Sequence, residues 1–276
     1  MKKVAIIGLG WLGMPLALAL TARGWQVTGS KTMSDGIEAA RRCGIDAVQL
    51  ELMPEINCDA RDLGTLFSAE VLVVTLPASN TVEGSKIYMQ AVQNIVSRAL
   101  ENHVSHIIFT SSTSVYGSGN GVIRESSTLQ PETVAGKTLA ALESWLHDLP
   151  STYVDILRLA GLVGPKRHPS RSLDGKIRLN NGGYGVNLVH VDDVVSAITL
   201  LLQMPKGGGR IYNLCASQHP SRENFYPAVS RQLGLIPPTF LPSNHGEIGK
   251  LIDGSLICKE LGFEYRYDNP EKMPLE

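Results

Sequence analysis

Short unbroken apolar runs alternate along this chain with longer stretches in which apolar residues recur every three or four positions. Val4-Ala5-Ile6-Ile7, after Lys3, is too short for a helix and is closed by Gly8, so it predicts a buried strand. Met14 to Ala22 predicts a helix, with Pro15 tolerated in its first turn and Gly24 ending it. Trp25 to Thr28 predicts the next strand. Ser34 is placed to cap a helix over 35–43, residues 47–52 predict a third strand, and Asp62 opens a helix through Phe67. Val71 to Leu76 is a continuous apolar run ended by Pro77 and predicts a fourth strand. Residues 85–101 carry Ile87, Ala91, Val92, Ile95, Val96 and Ala99 on one face of a long helix. Ile107-Ile108-Phe109 predicts a fifth strand running into Ser111-Ser112-Thr113; a helix over 135–147 and a sixth strand over 153–159 follow.

Continuous rather than alternating hydrophobicity is what a parallel sheet covered on both faces requires. Strands that alternate with helices throughout predict an α/β chain with a doubly wound parallel sheet. From Gly164 the texture changes. Lys166-Arg167-His168-Pro169-Ser170-Arg171 is basic and turn-rich, Asn180 to Gly185 is a loop, and Asp192 and Asp193 begin a helix through Gln203. The proline-rich remainder predicts a small C-terminal substrate-side subdomain. The expected division is residues 1–163 and 164–276, with the helix over about 192–203 returning to the sheet.

Composition narrows the function. The formal net charge of −1 supplies no basic field for nucleic acid or an anionic membrane surface. No run approaches the ~18 apolar residues of a membrane span without a glycine or a charge. Cys43, Cys58, Cys215 and Cys258 lack C-x-x-C spacing, which predicts reduced core thiols rather than disulfides or a zinc site. Lys2-Lys3 and the apolar run through Leu20 imitate a secretory signal. Glycines at a regular spacing and a proline inside that run argue that it is retained, which predicts a cytoplasmic protein.

Those glycines are Gly8-Leu9-Gly10-Trp11-Leu12-Gly13, a G-x-G-x-x-G between a strand and a helix. In such a βαβ unit the first glycine makes the tight turn, the second admits a pyrophosphate, and the third lets helix and strand pack closely. Gly8, Gly10, Trp11, Leu12 and Gly13 are therefore the expected pyrophosphate-binding residues, with Thr75, Leu76 and Pro77 beside the cofactor path. A site for NAD places an acid after the second strand to bind the ribose 2′-hydroxyl. Here that position reads Thr28-Gly29-Ser30-Lys31-Thr32. Ser30 and Lys31 suit a 2′-phosphate instead, so NADP(H) is expected over NAD(H).

Ser111-Ser112-Thr113-Ser114-Val115-Tyr116-Gly117, Arg158 to Pro165, Val189-His190-Val191-Asp192-Asp193-Val194, Tyr212-Asn213 and Glu260-Leu261-Gly262-Phe263 together resemble the extended short-chain dehydrogenase/reductases. That family includes nucleotide-sugar epimerases and dehydratases. The resemblance spans nearly the whole chain and implies an NAD(P)-binding Rossmann fold, a small-molecule substrate, and a homodimer paired through helices 85–101 and 135–147. It also implies a Ser/Thr, a Tyr and a Lys in Y-x-x-x-K spacing, in which the lysine cation favours the tyrosinate. Ser112 matches the Ser/Thr.

The tyrosine has no match. One alignment sets Ala135 at the tyrosine and Leu139 at the lysine; the other sets Lys137 as the lysine and Thr133 at the tyrosine. Tyr116 is the substitute proton-transfer candidate, with packing in the turn as its alternative; His190 is a second, with a structural role favoured. Clustered Arg167, His168 and Arg171 suit an anionic substrate group such as a diphosphate. The resulting expectation is an NADP-dependent epimerase- or dehydratase-like oxidoreductase for an anionic small molecule. The other class is a non-catalytic NADP(H)-binding sensor or regulatory protein.

Overall fold

The computed structural model describes residues 2–150, 152–205, 209–242 and 248–274. Its centre is a seven-stranded sheet of β1 (Lys3–Ile7), β2 (Gln26–Lys31), β3 (Asp46–Gln49), β4 (Val71–Val74), β5 (His106–Ser112), β6 (Tyr153–Leu159) and β7 (Ile211–Leu214). The strand order is β7-β6-β5-β4-β1-β2-β3. The β1–β2, β2–β3, β1–β4 and β4–β5 pairs are all parallel. The chain winds outward from β1 to β3, then crosses back to β4 on the other side of β1. The order therefore reverses between β1 and β4, and in open parallel sheets the crevice beyond the carboxyl ends at such a reversal is where ligands sit.

The apolar runs are buried on both faces. Val4 through Ile7, Leu72 through Val74, and Ile107 through Phe109 have no exposed surface. The helices follow as α1 (Gly13–Thr21), α2 (Ser34–Arg42), α3 (Ala60–Leu66), α4 (Val82–Glu101), α5 (Val134–His147), α6 (Val191–Gln203), α7 (Arg222–Gln232) and α8 (Leu256–Leu261). Asp59 caps α3 by accepting from the Arg61 and Asp62 amides, and the Thr81 and Thr133 hydroxyls cap α4 and α5.

Several boundaries differ from the sequence pattern for visible reasons. The third strand ends at Gln49; Glu51–Leu52 leaves the sheet to pair antiparallel with Ile56–Asn57. β5 continues past its apolar run because its polar residues find buried partners. The Thr110 hydroxyl donates to the Val74 carbonyl at 3.0 Å, and the Ser111 hydroxyl donates to Glu143 Oε1 at 2.5 Å. Ile211–Leu214, too short to stand out in the pattern, is the edge strand β7. Gly121–Ile123 and Lys250–Ile252, far apart in sequence, form a parallel pair.

The chain forms two compact units. One comprises Met1–Val115, Pro131–Leu157 and Ile198–Ile211; the other comprises Tyr116–Gln130, Arg158–Ala197 and Tyr212–Glu276. The chain passes between them several times, whereas reading along the sequence puts one boundary at 163/164. The second unit has its own apolar cluster of Val163, Val186, Leu188, Ala216, Phe225, Val229 and Met273. In the first unit, α4 and α5 pack on one another, and the Ser85 and Thr138 hydroxyls are hydrogen-bonded between them. These are the two helices that the resemblance assigned to a dimer contact.

At the amino edge of the sheet, opposite the ligand edge, His106 Nε2 lies 2.8 Å from Asp155 Oδ2. The Arg210 amide and Nε both donate to Asp155 Oδ1, at 3.2 and 3.0 Å. Asp155 is 1% exposed, so this carboxylate is held by its three donors rather than by water. Asp155→Ala would leave those donors without their acceptor. The expected cost is about 3–5 kcal/mol of folding stability, measured by urea denaturation; a loss below about 1 kcal/mol would contradict a buried tie.

Candidate functional site

The turn after β1 is built from glycine and anchored by two neighbouring strands. Gly8 has φ of +100°, a conformation that side chains disfavour. A Cβ on Gly13 would lie 2.0 Å from the Gly8 carbonyl oxygen, so only glycine lets α1 start this close to the turn. A Cβ on Gly10 would meet nothing within 4 Å, so the backbone there is open to an approaching group. From β4, Thr75 Oγ1 donates to the Gly8 carbonyl at 2.7 Å and lies 3.1 Å from that of Ile7, which also accepts the Thr75 amide at 3.0 Å. From β2, the Ser30 hydroxyl accepts the Gly8 amide at 2.9 Å and the Ser30 carbonyl accepts the Leu9 amide at 2.8 Å.

α1 begins with no side-chain cap and no acid in its first turn. Its amino end therefore keeps the partial positive charge that favours an anion. Leu12, its N-cap residue, is buried, while Trp11 is half-buried. Leu76 lies beside the turn, its Cδ2 3.1 Å from a Cβ built on Gly8, and its carbonyl accepts the Tyr88 hydroxyl at 3.3 Å. Pro77 is exposed. These features fit a pyrophosphate: a backbone cradle open at Gly10, at a helix start without competing carboxylates.

Ser30 and Lys31 play different parts. Ser30 is buried and its hydroxyl holds the turn through Gly8. Lys31 closes β2 at the sheet's carboxyl edge and is half-buried. The first acid after it, Asp35, is inside α2, where its Oδ1 accepts the Gly36 amide at 2.7 Å.

Ser112 ends β5, half-buried, and its hydroxyl accepts the Ser114 amide at 3.1 Å. α5 starts close to that turn; a Cβ on Gly136 would be 2.8 Å from the Ser114 carbonyl oxygen. Thr133 is occupied as the N-cap, its hydroxyl accepting the Gly136 amide at 3.0 Å. Lys137 is exposed and Leu139 is buried.

In the second unit, Tyr116 is 3% exposed and bonded on both sides. Its hydroxyl donates to Asn213 Oδ1 at 2.7 Å and accepts from Arg158 Nη1 at 2.7 Å. Arg158 also donates to the Glu125 carbonyl, while Glu125 Oε1 accepts the Asn213 amide. Burial pushes the Tyr116 phenol up, and the Arg158 guanidinium only partly opposes this. This geometry keeps the phenol protonated and ties it into a buried network, the packing alternative.

The basic segment divides in the same way. Arg167 and Arg171 are exposed, but His168 is 5% exposed. Its Nδ1 accepts the Ser170 amide at 3.2 Å and its ring lies 6.0 Å from that of Phe225. Burial first, and the Arg171 charge second, lower its pKa to about 4, so His168 adds a neutral imidazole rather than a third cation. His190 is likewise buried, with its pKa lowered by desolvation and its Nδ1 accepting the Asp192 amide. It packs 4.4 Å from the Tyr267 ring, a structural placement. Among the described residues, no group of His, Cys, Asp or Glu is arranged to hold a metal ion.

The model of the NAD dependent epimerase/dehydratase family matches residues 4–215. The chain belongs to that family. It is 59% identical to the protein YeeZ of Escherichia coli (strain K12) over 276 residues, all of both chains. The structure of UDP-glucose 4-epimerase from Thermotoga maritima, solved with UDP-glucose, superposes with a TM-score of 0.75 at 20% identity, covering 96% of this chain and 94% of that one. MoeE5, solved with UDP-glucuronic acid and NAD, gives 0.75 at 21% identity, with the same coverage. At these identities the two structures establish the shared fold.

Sequence reasoning missed the Thr75 and Ser30 hydroxyls as anchors of the glycine turn, and Asn213 and Glu125 as partners of Tyr116 and Arg158. The first pair had a visible signal, since each is a hydroxyl at the carboxyl end of a strand flanking β1. The second pair are far apart in sequence and had none. Tyr116→Phe would deprive Arg158 of an acceptor, with an expected loss of about 1–3 kcal/mol in denaturant unfolding. His168 predicts a pH dependence. The unfolded histidine takes a proton near its ordinary 6.5, whereas the folded one takes it only near about 4. Its contribution is full above 6.5 and is lost progressively as pH falls toward about 4. Unfolding midpoints across that window should fall with pH, and His168→Gln should flatten the slope.

Proposed function

We propose that this chain binds NADP(H) in preference to NAD(H) and acts on a small anionic molecule of the nucleotide-sugar class. The observation that carries the cofactor preference is Lys31, a cation at the end of β2 where a site for NAD uses an acid. Gly8, Gly10 and Gly13 would receive the pyrophosphate at the start of α1, Trp11 and Leu12 would flank it, and Lys31 would pair with the 2′-phosphate. Thr75 keeps the turn in shape and Leu76 and Pro77 border it. When bound, the nicotinamide ring supplies hydride transfer.

The substrate class rests on two supports. Structural relatives were solved with UDP-glucose and with UDP-glucuronic acid. In this chain, the exposed guanidiniums of Arg167 and Arg171 suit a diphosphate, while His168 is suited to a hydrogen bond rather than an ion pair. The Ser112 hydroxyl is the group proposed to polarise a substrate oxygen. The helix that would carry the family's tyrosine and lysine reads Val134-Ala135-Gly136-Lys137-Thr138-Leu139 and supplies no phenol.

A second reading is favoured by one observation. Tyr116, the substitute proton donor, is buried and hydrogen-bonded on both sides. A chain without an available phenol would suit a non-catalytic NADP(H)-binding protein whose cofactor state is sensed by a partner. Incubating NADPH- and NADP-loaded protein with a panel of nucleotide sugars separates the two. A change in nicotinamide absorbance or product mass supports the enzyme, and tight binding with no turnover on any member supports the sensor.

Lys31→Ala tests the cofactor claim directly. One charge-assisted hydrogen bond contributes about 1.5–3 kcal/mol, so NADPH affinity should fall roughly ten- to a hundredfold while NADH affinity stays unchanged. Fluorescence or calorimetric titration reads both, and an equal loss for the two dinucleotides would remove the 2′-phosphate assignment.

A further inference from the structure

Gly36 lies in the first turn of α2 and has no part in the glycine turn at β1. Its φ is not in the left-handed region, so the backbone there does not demand glycine. The helix does not favour it either, because alanine is the better helix former. The reason for glycine is on its surface. A Cβ built on Gly36 would lie 2.9 Å from Lys31 Cδ and 3.3 Å from both Cε and Nζ. The Lys31 side chain therefore crosses the first turn of α2 through the space that a methyl group would fill.

That path fixes where the ammonium stands. Lys31 ends β2, and its neighbour Ser30 holds the glycine turn through two hydrogen bonds to Gly8 and Leu9. Lys31 is thus one residue from the atoms that shape the pyrophosphate cradle. Local stability does not explain the arrangement: a cation beside the amino end of a helix opposes the helix dipole. Asp35 provides the acid in that turn and is engaged with the Gly36 amide.

We infer that Gly36 is a positioning residue for cofactor selection: its missing side chain seats Lys31 across α2, and this sets the preference for a 2′-phosphorylated dinucleotide. The inference rests on the Lys31 assignment proposed above and adds a residue that would not itself touch the cofactor. The three atoms nearest a methyl group at Gly36 all belong to the flexible part of Lys31, so the variant is expected to fold with the lysine displaced.

The test is a double-mutant cycle of Lys31→Ala and Gly36→Ala, with NADPH and NADH affinities and melting temperatures measured for all four proteins. Gly36→Ala should weaken NADPH binding about three- to tenfold and leave NADH binding unchanged, because it disturbs one charge-assisted contact without removing it. Its melting temperature should stay level or rise, opposite to what damage to the fold would give. In the Lys31→Ala background, Gly36→Ala should have no further effect on NADPH. If Lys31→Ala is selective for NADPH but Gly36→Ala is not, or if Gly36→Ala acts equally without the lysine, the role of Gly36 is overturned and the Lys31 assignment stands. If Lys31→Ala weakens both dinucleotides alike or neither, both inferences fail.

Discussion

The contact that the first unit depends on is the near-collision between Gly13 and the carbonyl of Gly8. The 2.0 Å left for a side chain there is no space at all, and it brings the start of α1 directly over the end of β1. Only in that position does the helix direct its amino end toward the crevice where the strand order reverses. A turn this tight needs bracing, because glycine loses more backbone entropy on ordering than other residues. Thr75 from β4 and Ser30 from β2 brace it, one accepted by the Gly8 carbonyl and one accepting the Gly8 amide. The strands flanking β1 are thus part of the cradle.

The second unit is organised by a different economy, that of buried polar groups. Arg158, Tyr116, Asn213 and Glu125 are joined by hydrogen bonds between segments distant in sequence. The guanidinium of an arginine that is 4% exposed needs acceptors, and the phenol oxygen and the Glu125 carbonyl supply two. The consequence is chemical as well as structural. A phenol held between a donor and an acceptor in a desolvated site keeps its proton. The same desolvation makes His168 neutral within a segment that reads as uniformly basic.

Most of the first unit was legible in advance. The apolar runs of β1, β4 and β5 are continuous because both sheet faces are covered, and each was placed to within a few residues. The G-x-G-x-x-G was informative because a strand precedes it and a helix follows it. Less legible were β7, whose four residues have no periodicity of their own, and the parallel pair of Gly121–Ile123 with Lys250–Ile252, which joins segments far apart in sequence. Polar residues misled where a partner lay elsewhere. Thr110 and Ser111 looked like the end of a strand until Val74 and Glu143 took their hydrogen bonds.

The sequence by itself determined the fold class, the glycine turn and the cation at the end of β2, because short-range periodicity, backbone freedom and charge are properties of residues and their immediate neighbours. It also determined that the helix over Val134–His147 carries no phenol. Only the tertiary structure decided what each polar side chain is for. Ser30 became a brace, Tyr116 a buried link and His168 a neutral ring, while Gly36 became the floor on which Lys31 lies. These roles depend on burial and on which groups the fold brings together, 22 positions apart for Ser30 and Gly8 and 97 for Tyr116 and Asn213, and a side chain's proton and hydrogen bonds belong to those surroundings rather than to its place in the chain.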